Sequence, residues 1–203
     1  MSLNAARLPP EVGRELAGTP ADYRAAGSAR VGGTCERVPG GWRMRGRWNF
    51  ASGIDSARWL YCTCVETADG APQRDAAGKP VLRALWVPRE QVTMVDTWQV
   101  MGMRGTGSQD FTVEEVVVPE RHTVRSDAPP AIPGPLYDAR AWYVTVWTPS
   151  AANALGIARG AIDALAALAQ TEASTLSTQL LRDRPAVQAR IGEAEAIVRA
   201  ARA

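Results

Sequence analysis

Residues 97–120, TWQVMGMRGTGSQDFTVEEVVVPE, decide the fold class of this 203-residue chain. They begin with three closely spaced glycines, Gly102, Gly105 and Gly107. Glycine at that density marks a backbone that turns tightly or approaches another group closely. Apolar and β-branched residues follow at once, and Pro119 ends them, which is typical of a β-strand. The stretch therefore predicts a glycine-rich turn that leads into a strand.

A second stretch, residues 40–53 with the sequence GGWRMRGRWNFASG, predicts a hairpin turn followed by a strand. Two adjacent glycines suit a tight turn between antiparallel strands. Apolar residues then alternate with Arg43, Arg45 and Arg47. Alternation with period two puts the arginines on one face of a half-buried strand, and we interpret that face as exposed to solvent.

Further strand patterns make turn signals recur every 8–12 residues through the first part of the chain. They cover residues 58–66, 81–87, 92–96 and 98–101. Residues 26–37 are glycine-rich and polar, which predicts a loop that enters a strand. Short strands at this spacing are typical of a small barrel or sandwich. The predicted fold class is α+β, an antiparallel β-barrel or sandwich middle domain followed by part of a helical bundle.

The composition of the chain changes along its length and predicts four segments. These are an N-terminal segment at 1–25, the β-barrel middle domain at 26–125, a Pro-rich linker at 126–148 and a partial C-terminal helical bundle at 149–203. A weak helical pattern covers residues 11–17. The first bundle helix is expected to start with Thr148 as N-cap and Pro149 in its first turn. The second is expected to start with Asp183 as N-cap and Pro185 just inside.

Charge and hydropathy exclude several classes of partner. A net charge of +2 at pH 7 is too small to favour nucleic acid or an anionic membrane surface. No uninterrupted apolar run has the ~20 residues that span a bilayer. The N-terminus has no hydrophobic secretion segment. We therefore expect a cytoplasmic protein with no nucleic-acid and no membrane partner.

The cysteines and the single histidine do not form a familiar metal or redox motif. Cys62 and Cys64 are separated by one residue, which is not the spacing of zinc or dithiol sites. We interpret these two and Cys35 as small buried apolar side chains. His122 follows Pro119 on a predicted loop. We expect no metal site and no Ser-His-Asp triad.

Taken together, the two glycine-containing stretches resemble the middle β-domain of the acyl-CoA dehydrogenase superfamily. The closest branch is the reduced-flavin-dependent monooxygenases, the oxygenase components of two-component aromatic hydroxylases. The spacing agrees, because the turn GMRGTGS lies about fifty residues after the strand end WNFASG. The resemblance runs over residues 8–203. It covers the middle β-domain and part of the C-terminal helical domain.

The resemblance implies that the N-terminal helical domain of the family and the end of its bundle are not in this chain. In the monooxygenase branch the end of the bundle supplies a histidine near the flavin, and in the dehydrogenase branch a late segment supplies a glutamate base. No residue of this sequence matches either one, so the catalytic residues stay unknown. We expect little or no turnover from this chain alone.

The resemblance also implies a set of cofactor-binding residues. They are Trp48, Phe50, Ala51, Ser52, Gly53, Thr106, Ser108 and Arg184. The strand end at residues 50–53 matches the one that packs beside the flavin ring, with a hydroxyl near N5. Such a hydroxyl slows the loss of hydrogen peroxide from a flavin C4a-hydroperoxide in a dry pocket. Arg184 matches an arginine that binds a cofactor phosphate from a neighbouring subunit, or it is surface charge in a first helical turn.

Three functions remain open from the sequence. The first is an oxygenase that uses reduced FAD or FMN, delivered by a partner flavin reductase, on an aromatic small-molecule substrate. The second is an FAD-dependent acyl-CoA dehydrogenase that oxidises an acyl-CoA. The third is a non-catalytic fragment that only assembles with partner subunits. The helical segment has an apolar stripe without a partner in the chain, so we also expect a homo-oligomer.

Overall fold

The computed structural model describes residues 5–18, 24–131, 133–175 and 177–203, and residues 1–4 and 19–23 of the predicted N-terminal segment lie outside that part. The chain divides into two compact units, Met1–Tyr137 and Asp138–Ala203. Among the described residues, the first unit contains a mixed sheet with the helix Pro10–Ala17, and the second contains two helices. This confirms the predicted α+β class.

The sheet has eight strands in the described residues. They are β1 (Ala25–Val38), β2 (Gly41–Trp48), β3 (Trp59–Ala68), β4 (Ala71–Pro72), β5 (Leu82–Pro88), β6 (Thr93–Val95), β7 (Asp110–Pro119) and β8 (Thr123–Arg125). The strands lie in the order β6-β7-β2-β1-β3-β5-β8, with β4 beside β3. Every pair is antiparallel except β1 and β3, which are parallel. Alternation alone does not reveal strand direction, so the sequence did not predict this pair.

The predicted alternation in β2 is confirmed. Trp42, Met44 and Trp48 point into the core, and the arginines between them are exposed. The indole of Trp48 stacks on Phe111 of β7 with ring centroids 5.3 Å apart and donates from Nε1 to the Thr63 carbonyl at 3.0 Å. The core of this unit thus lies under the β2–β7 pair.

The prediction of a loop at residues 26–37 is wrong, because these residues belong to the long strand β1. Its glycines have a packing reason. A Cβ atom at Gly32 or Gly33 would lie 2.6 or 2.7 Å from the Trp48 ring, closer than Cβ atoms approach other atoms. Strand glycines often mark such a close approach, and here both the Trp48 indole and the carbonyls of Arg45 and Arg47 on β2 leave no room for a side chain.

Helix α1 (Pro10–Ala17) covers a second apolar surface of the sheet. Its buried Val12 and Leu16 belong to one cluster with Tyr61 and Trp86. Burial raises the pKa of the Tyr61 phenol. The weak helical pattern at residues 11–17 is therefore confirmed as a helix, and its apolar face holds it on the sheet.

In the second unit, helix α2 (Ala139–Thr171) begins ten residues before the predicted start at Pro149, which lies inside the helix. Thr148 is therefore not an N-cap. Helix α3 spans Pro185–Arg202, and its N-cap is Arg184 rather than Asp183. The two helices contact each other, and Arg159 of α2 is ion-paired with Glu195 of α3.

One stretch in the described residues, Trp147–Thr171, passes a test of length and mean hydropathy, 1.2, for a helix that crosses a membrane. The count of uninterrupted apolar runs missed it, because the stretch contains the ion pair Arg159–Asp163 at 2.9 Å. None of the 18-residue apolar segment that gives this mean hydropathy is buried inside the structure. A single such helix is weak evidence of a membrane span, and an uncovered helix of a bundle has the same composition.

Candidate functional site

The structure brings the two glycine-containing stretches together at one end of the β2–β7 pair. Trp48, at the end of β2, is opposite Phe111, near the start of β7. Beyond that pair, the Gly53 amide donates to the Thr106 carbonyl at 2.8 Å. The register of two antiparallel strands thus places side by side two segments that are about fifty residues apart in sequence.

We call the place where residues 50–53 meet residues 103–108 the junction. Three hydroxyl groups form a chain across it. The Oγ atoms of Ser52 and Ser108 are 2.7 Å apart, and Ser108 Oγ is 2.7 Å from Thr106 Oγ1. Thr106 Oγ1 in turn donates to the Met103 carbonyl at 2.9 Å. Ser108 is buried, Thr106 is half-buried and Ser52 is exposed. The middle member, Ser108, is therefore shielded from solvent, and Ser52 is the exposed hydroxyl at one end of the chain.

Left-handed backbone conformations are concentrated at the same place. Phe50 and Met103 have φ values of 58° and 57°, and Gly53 and Gly107 have values of 79° and 49°. A non-glycine residue in this region is uncommon and persists where its surroundings hold it. The turn at residues 50–53 and the turn at residues 103–107 are thus shaped by their hydrogen bonds to each other.

Exposed apolar side chains border the hydroxyl chain. Phe50, Met101 and Met103 are all exposed. The ring of Phe50 lies edge-on to Trp98 at 6.1 Å, and the Trp98 indole donates to the Met103 carbonyl at 3.1 Å. Exposed apolar groups around a polar centre are a feature of ligand-binding surfaces.

Gln109 organises the loop that carries this border. Its Oε1 accepts the amides of Thr97 and Trp98 at 2.8 and 2.9 Å, and its carbonyl accepts the Ala51 amide at 3.1 Å. The predicted strand at residues 98–101 is therefore wrong. A side-chain amide takes the backbone donors that a strand partner would need, and periodicity does not show that.

The candidate residues divide into three groups. Phe50, Ser52, Gly53, Thr106 and Ser108 lie together at the junction, as predicted for the motifs that contain them. Trp48 and Ala51 do not present a side chain there, because both are buried in the core cluster. A role for the Trp48 ring beside a flavin stays a prediction.

Arg184, the third group, is half-buried and belongs to the second unit. Its carbonyl accepts the amides of Val187 and Gln188 at 3.0 and 3.1 Å. A contact between Arg184 and a cofactor phosphate stays a prediction.

Sequence reasoning missed Met103, Trp98 and Gln109 as parts of the site. Met103 lies between Gly102 and Gly105. The density of glycines in this turn indicated an unusual backbone conformation at Met103, but not a role for its side chain. No pattern in the sequence pointed to the side chain of Gln109, because its role is to accept two amides of a distant segment.

The cysteines and the histidine contact residues other than those of the junction. All three cysteines are free and buried. Burial raises the pKa of the Cys62 thiol, and a hydrogen bond with Cys35 together with burial raises that of Cys64, so both stay protonated and poorly nucleophilic. The His122 ring is buried against Glu15 and Trp59.

The junction fits the edge of a planar, partly polar ring such as a flavin. Ser52 offers a hydroxyl at the surface, and apolar side chains stand beside it. A Cβ atom built on Gly53, Gly102 or Gly105 meets nothing within 4 Å, so open space adjoins both turns. When bound, a flavin would supply the redox chemistry that the side chains of the junction lack.

Comparison with known proteins agrees with this architecture. Residues 149–203 match the family described as acyl-CoA dehydrogenase, C-terminal domain. Over 98% of its length, the chain is 33% identical to the indole-3-acetate monooxygenase of Pseudomonas putida, of which it covers 49%. The chain is thus similar to this monooxygenase over nearly its whole length, and residues 149–203 match the C-terminal domain of acyl-CoA dehydrogenases.

Two further relatives of the chain are an FADH2-dependent hydroxylase and a protein whose structure was solved with FADH2. The oxygenase component of an FADH2-dependent resorcinol hydroxylase from a Rhizobium species is 38% identical over 89 residues, which are 44% of this chain and 20% of the relative. The solved structure of XiaF from a Streptomyces species, in complex with FADH2 and glycerol, is 26% identical with a TM-score of 0.77 and covers 98% of this chain and 52% of XiaF. The chain thus spans about half the length of the indole-3-acetate monooxygenase and of XiaF.

Proposed function

We propose that this protein is the oxygenase component of a two-component aromatic hydroxylase, which uses reduced flavin and dioxygen. The single observation that carries the proposal is the junction itself. There the turn at residues 50–53 and the turn at residues 103–108 meet and present Ser52 beside exposed apolar side chains. The named relatives supply the class of reaction, since they include an FADH2-dependent hydroxylase.

The residues of the junction have separate tasks in this proposal. Ser52 holds a polar atom of the ring edge, and Gly53 lets that edge approach the backbone because it has no side chain. Phe50 and Met103 shield the ring edge from water with apolar surface, and water exclusion strengthens a hydrogen bond to Ser52. The Met103 carbonyl and Gln109 hold the two turns in place.

Two partners follow from the proposed reaction. We infer that a flavin reductase delivers the reduced flavin, since the relative from Rhizobium is named as the oxygenase component of an FADH2-dependent hydroxylase. The substrate is an aromatic small molecule, such as a phenol or an indole derivative, which stacks on or beside a planar cofactor. We also propose that Arg184 contacts the phosphate of FAD or FMN.

The test supplies the protein with a reductase, NADH, flavin and isotope-labelled dioxygen, and offers phenols, resorcinol and indole derivatives in parallel. The expected result is a hydroxylated product that carries the labelled oxygen, in an amount above that of a control with reductase alone but far below the turnover of a full-length relative, because we expect little turnover from the 203-residue chain alone. Labelled product at the control level for the whole panel, with reduced flavin bound, would contradict the proposal.

A second function is favoured by one observation. Residues 149–203 match the C-terminal domain of acyl-CoA dehydrogenases. A dehydrogenase would reduce a dye in the presence of an acyl-CoA, without a reductase and without dioxygen. Measurement of acyl-CoA-dependent dye reduction beside the oxygenase assay therefore separates the two functions.

A further inference from the structure

At the end opposite Ser52, which is its inner end, the hydroxyl chain of Ser52, Ser108 and Thr106 meets a group that can only accept hydrogen bonds. The Met103 carbonyl receives the Thr106 hydroxyl at 2.9 Å. It also accepts the amide of Thr106 at 3.1 Å and the indole N–H of Trp98 at 3.1 Å, so its position is fixed from three sides. The hydroxyl contact is the shortest of the three.

Each hydroxyl has one hydrogen to give. The three contacts of the chain are all hydrogen bonds only when every hydrogen points inward, which here means toward Met103. If the hydrogens point inward, Ser52 donates to Ser108, Ser108 to Thr106 and Thr106 to the Met103 carbonyl, so all three bonds are made. If they point outward, the Thr106–Met103 contact at 2.9 Å has no hydrogen between two oxygens and becomes repulsive. The inward direction therefore has the lower free energy by about one hydrogen bond.

In the inward direction, Ser52 has used its hydrogen and presents only lone pairs at the surface. We infer that Thr106 and Ser108 are positioning residues, which make Ser52 a hydrogen-bond acceptor toward the ligand and so select a ring whose edge carries an N–H. This inference rests on the proposed function, which puts a flavin ring at the junction. Reduced flavin has an N–H at N5, the central edge position where oxidised flavin has only a lone pair.

The two redox states of flavin then meet the chain differently. Reduced flavin donates to Ser52 and adds a fourth bond to an unchanged chain. Oxidised flavin needs Ser52 to turn its hydrogen toward the ligand, which leaves one of the three contacts of the chain without a hydrogen, whichever hydroxyls turn with Ser52. The expected preference for reduced over oxidised flavin from this source is the worth of one hydrogen bond, about fivefold in the ratio of dissociation constants.

The experiment measures that ratio by equilibrium binding. The 203-residue chain and its variants are titrated with oxidised and with dithionite-reduced FMN and FAD under anaerobic conditions. The key variant is Thr106→Val, which removes the inner hydroxyl but keeps the shape of the side chain. Ser108 must then point outward, Ser52 becomes a donor, and we expect the preference for reduced flavin to fall about fivefold or to reverse.

Two matched variants exclude a merely structural effect. Thr106→Ser keeps the hydroxyl and should keep the ratio of the wild-type protein. Thr93→Val makes the same substitution on β6, at an exposed threonine for which the described contacts include no side-chain hydrogen bond, and should also keep it. A loss of packing would weaken both redox states together, whereas a reversed hydroxyl chain changes their ratio. Circular dichroism verifies that each variant is folded.

The outcomes distinguish this inference from the proposed function. Binding of both redox states with a ratio that Thr106→Val leaves unchanged would overturn the inference and leave the flavin site intact. A ratio that falls in Thr106→Val and recovers in Thr106→Ser would support it. Failure of both redox states to bind the folded wild-type chain would overturn the flavin site, and the inference with it.

Discussion

Ser52 is the exposed end of a chain of hydroxyls whose other members are half-buried or buried. Its backbone amide donates to the Phe50 carbonyl at 2.9 Å, so the left-handed turn at Phe50 sets the direction of the Ser52 side chain. The hydroxyl is therefore held by its own backbone and by Ser108, and its replacement removes one polar contact without disturbing the core.

The first prediction concerns Ser52→Ala. This variant should release more hydrogen peroxide per NADH consumed in the reductase-coupled assay, because the polar contact to the ring edge is lost. Flavin affinity should fall by no more than about fivefold, since a typical hydrogen bond contributes ~1 kcal/mol. Peroxide yield at fixed NADH consumption is the measurement. An unchanged yield in a variant that still binds flavin would remove this role from Ser52.

At the scale of elements, β1 depends on glycines that lie under an indole ring. A Cβ atom at Gly33 would be 2.4 Å from the Arg45 carbonyl and 2.7 Å from the Trp48 ring. Gly13 in helix α1 has nothing within 4 Å of the same position. The same substitution at these two glycines should thus have opposite effects.

We predict that Gly33→Ala lowers the free energy of unfolding by about 1–3 kcal/mol, because the strand and the ring must move apart. Gly13→Ala should raise it by about 0.5–1 kcal/mol, because alanine favours the helical backbone. Urea denaturation followed by fluorescence measures both. Equal effects of the two substitutions would show that the close approach of β1 to Trp48 does not exist in solution.

Helix α1 is attached to the sheet partly through a histidine. Glu15 of α1 accepts from Arg121 at 2.8 Å and is 3.2 Å from His122 Nε2, and the His122 ring lies edge-on to Trp59 of β3 at 5.3 Å. Burial lowers the pKa of His122 below 6.5; Glu15 opposes this shift, and Arg121 adds to it. The folded state therefore favours the neutral ring.

The sign of the pH dependence follows from that shift. A histidine whose folded pKa is depressed binds more protons when unfolded, so its contribution to stability is complete above about pH 6.5 and is lost as the pH falls through the folded pKa. We predict a lower urea midpoint at about pH 5.5 than at about pH 7.5, and a smaller difference in His122→Gln. A midpoint that rises on acidification would contradict the assigned direction.

The sequence predicted most of the sheet and the two turns that meet at the junction, for identifiable reasons, whereas the assignment of the junction as a flavin site stays a prediction. The strand β2 and the turn before it follow from strict alternation and from two adjacent glycines. The extension of β1 through its glycines, the start of α2 at Ala139 and the loop at residues 98–101 were not predictable. Each depends on a tertiary partner, such as the Trp48 ring or the Gln109 amide, that no local pattern reveals.

At the scale of the whole molecule, the second unit leaves apolar surface uncovered. Ile157, Leu165 and Leu168 of α2 are exposed, although α2 and α3 contact each other. Exposed apolar area costs ~25 cal/mol per Å², so we propose that a second copy of the chain covers this surface. This proposal assigns a specific contact surface to the predicted homo-oligomer.

The corresponding prediction is a mass by light scattering that exceeds that of one chain at micromolar concentration. Leu168→Glu should reduce that mass, because a buried unpaired charge opposes association. Arg190→Glu, a charge change at an exposed position of α3, serves as the control and should leave the mass unchanged. A monomer for the wild-type chain would rule out this interface.

The pairing of Trp48 with Phe111 closes the junction through strands β2 and β7 alone. Between β2 and β7 the chain runs through β3, β4, β5 and β6, and the turn between β3 and β4 has an exposed tip at Asp69 and Gly70. Insertions concentrate at such tips, because no buried contact depends on their length. The fold thus offers, at this tip, a position where a tag or a whole domain can be inserted without a change at the junction.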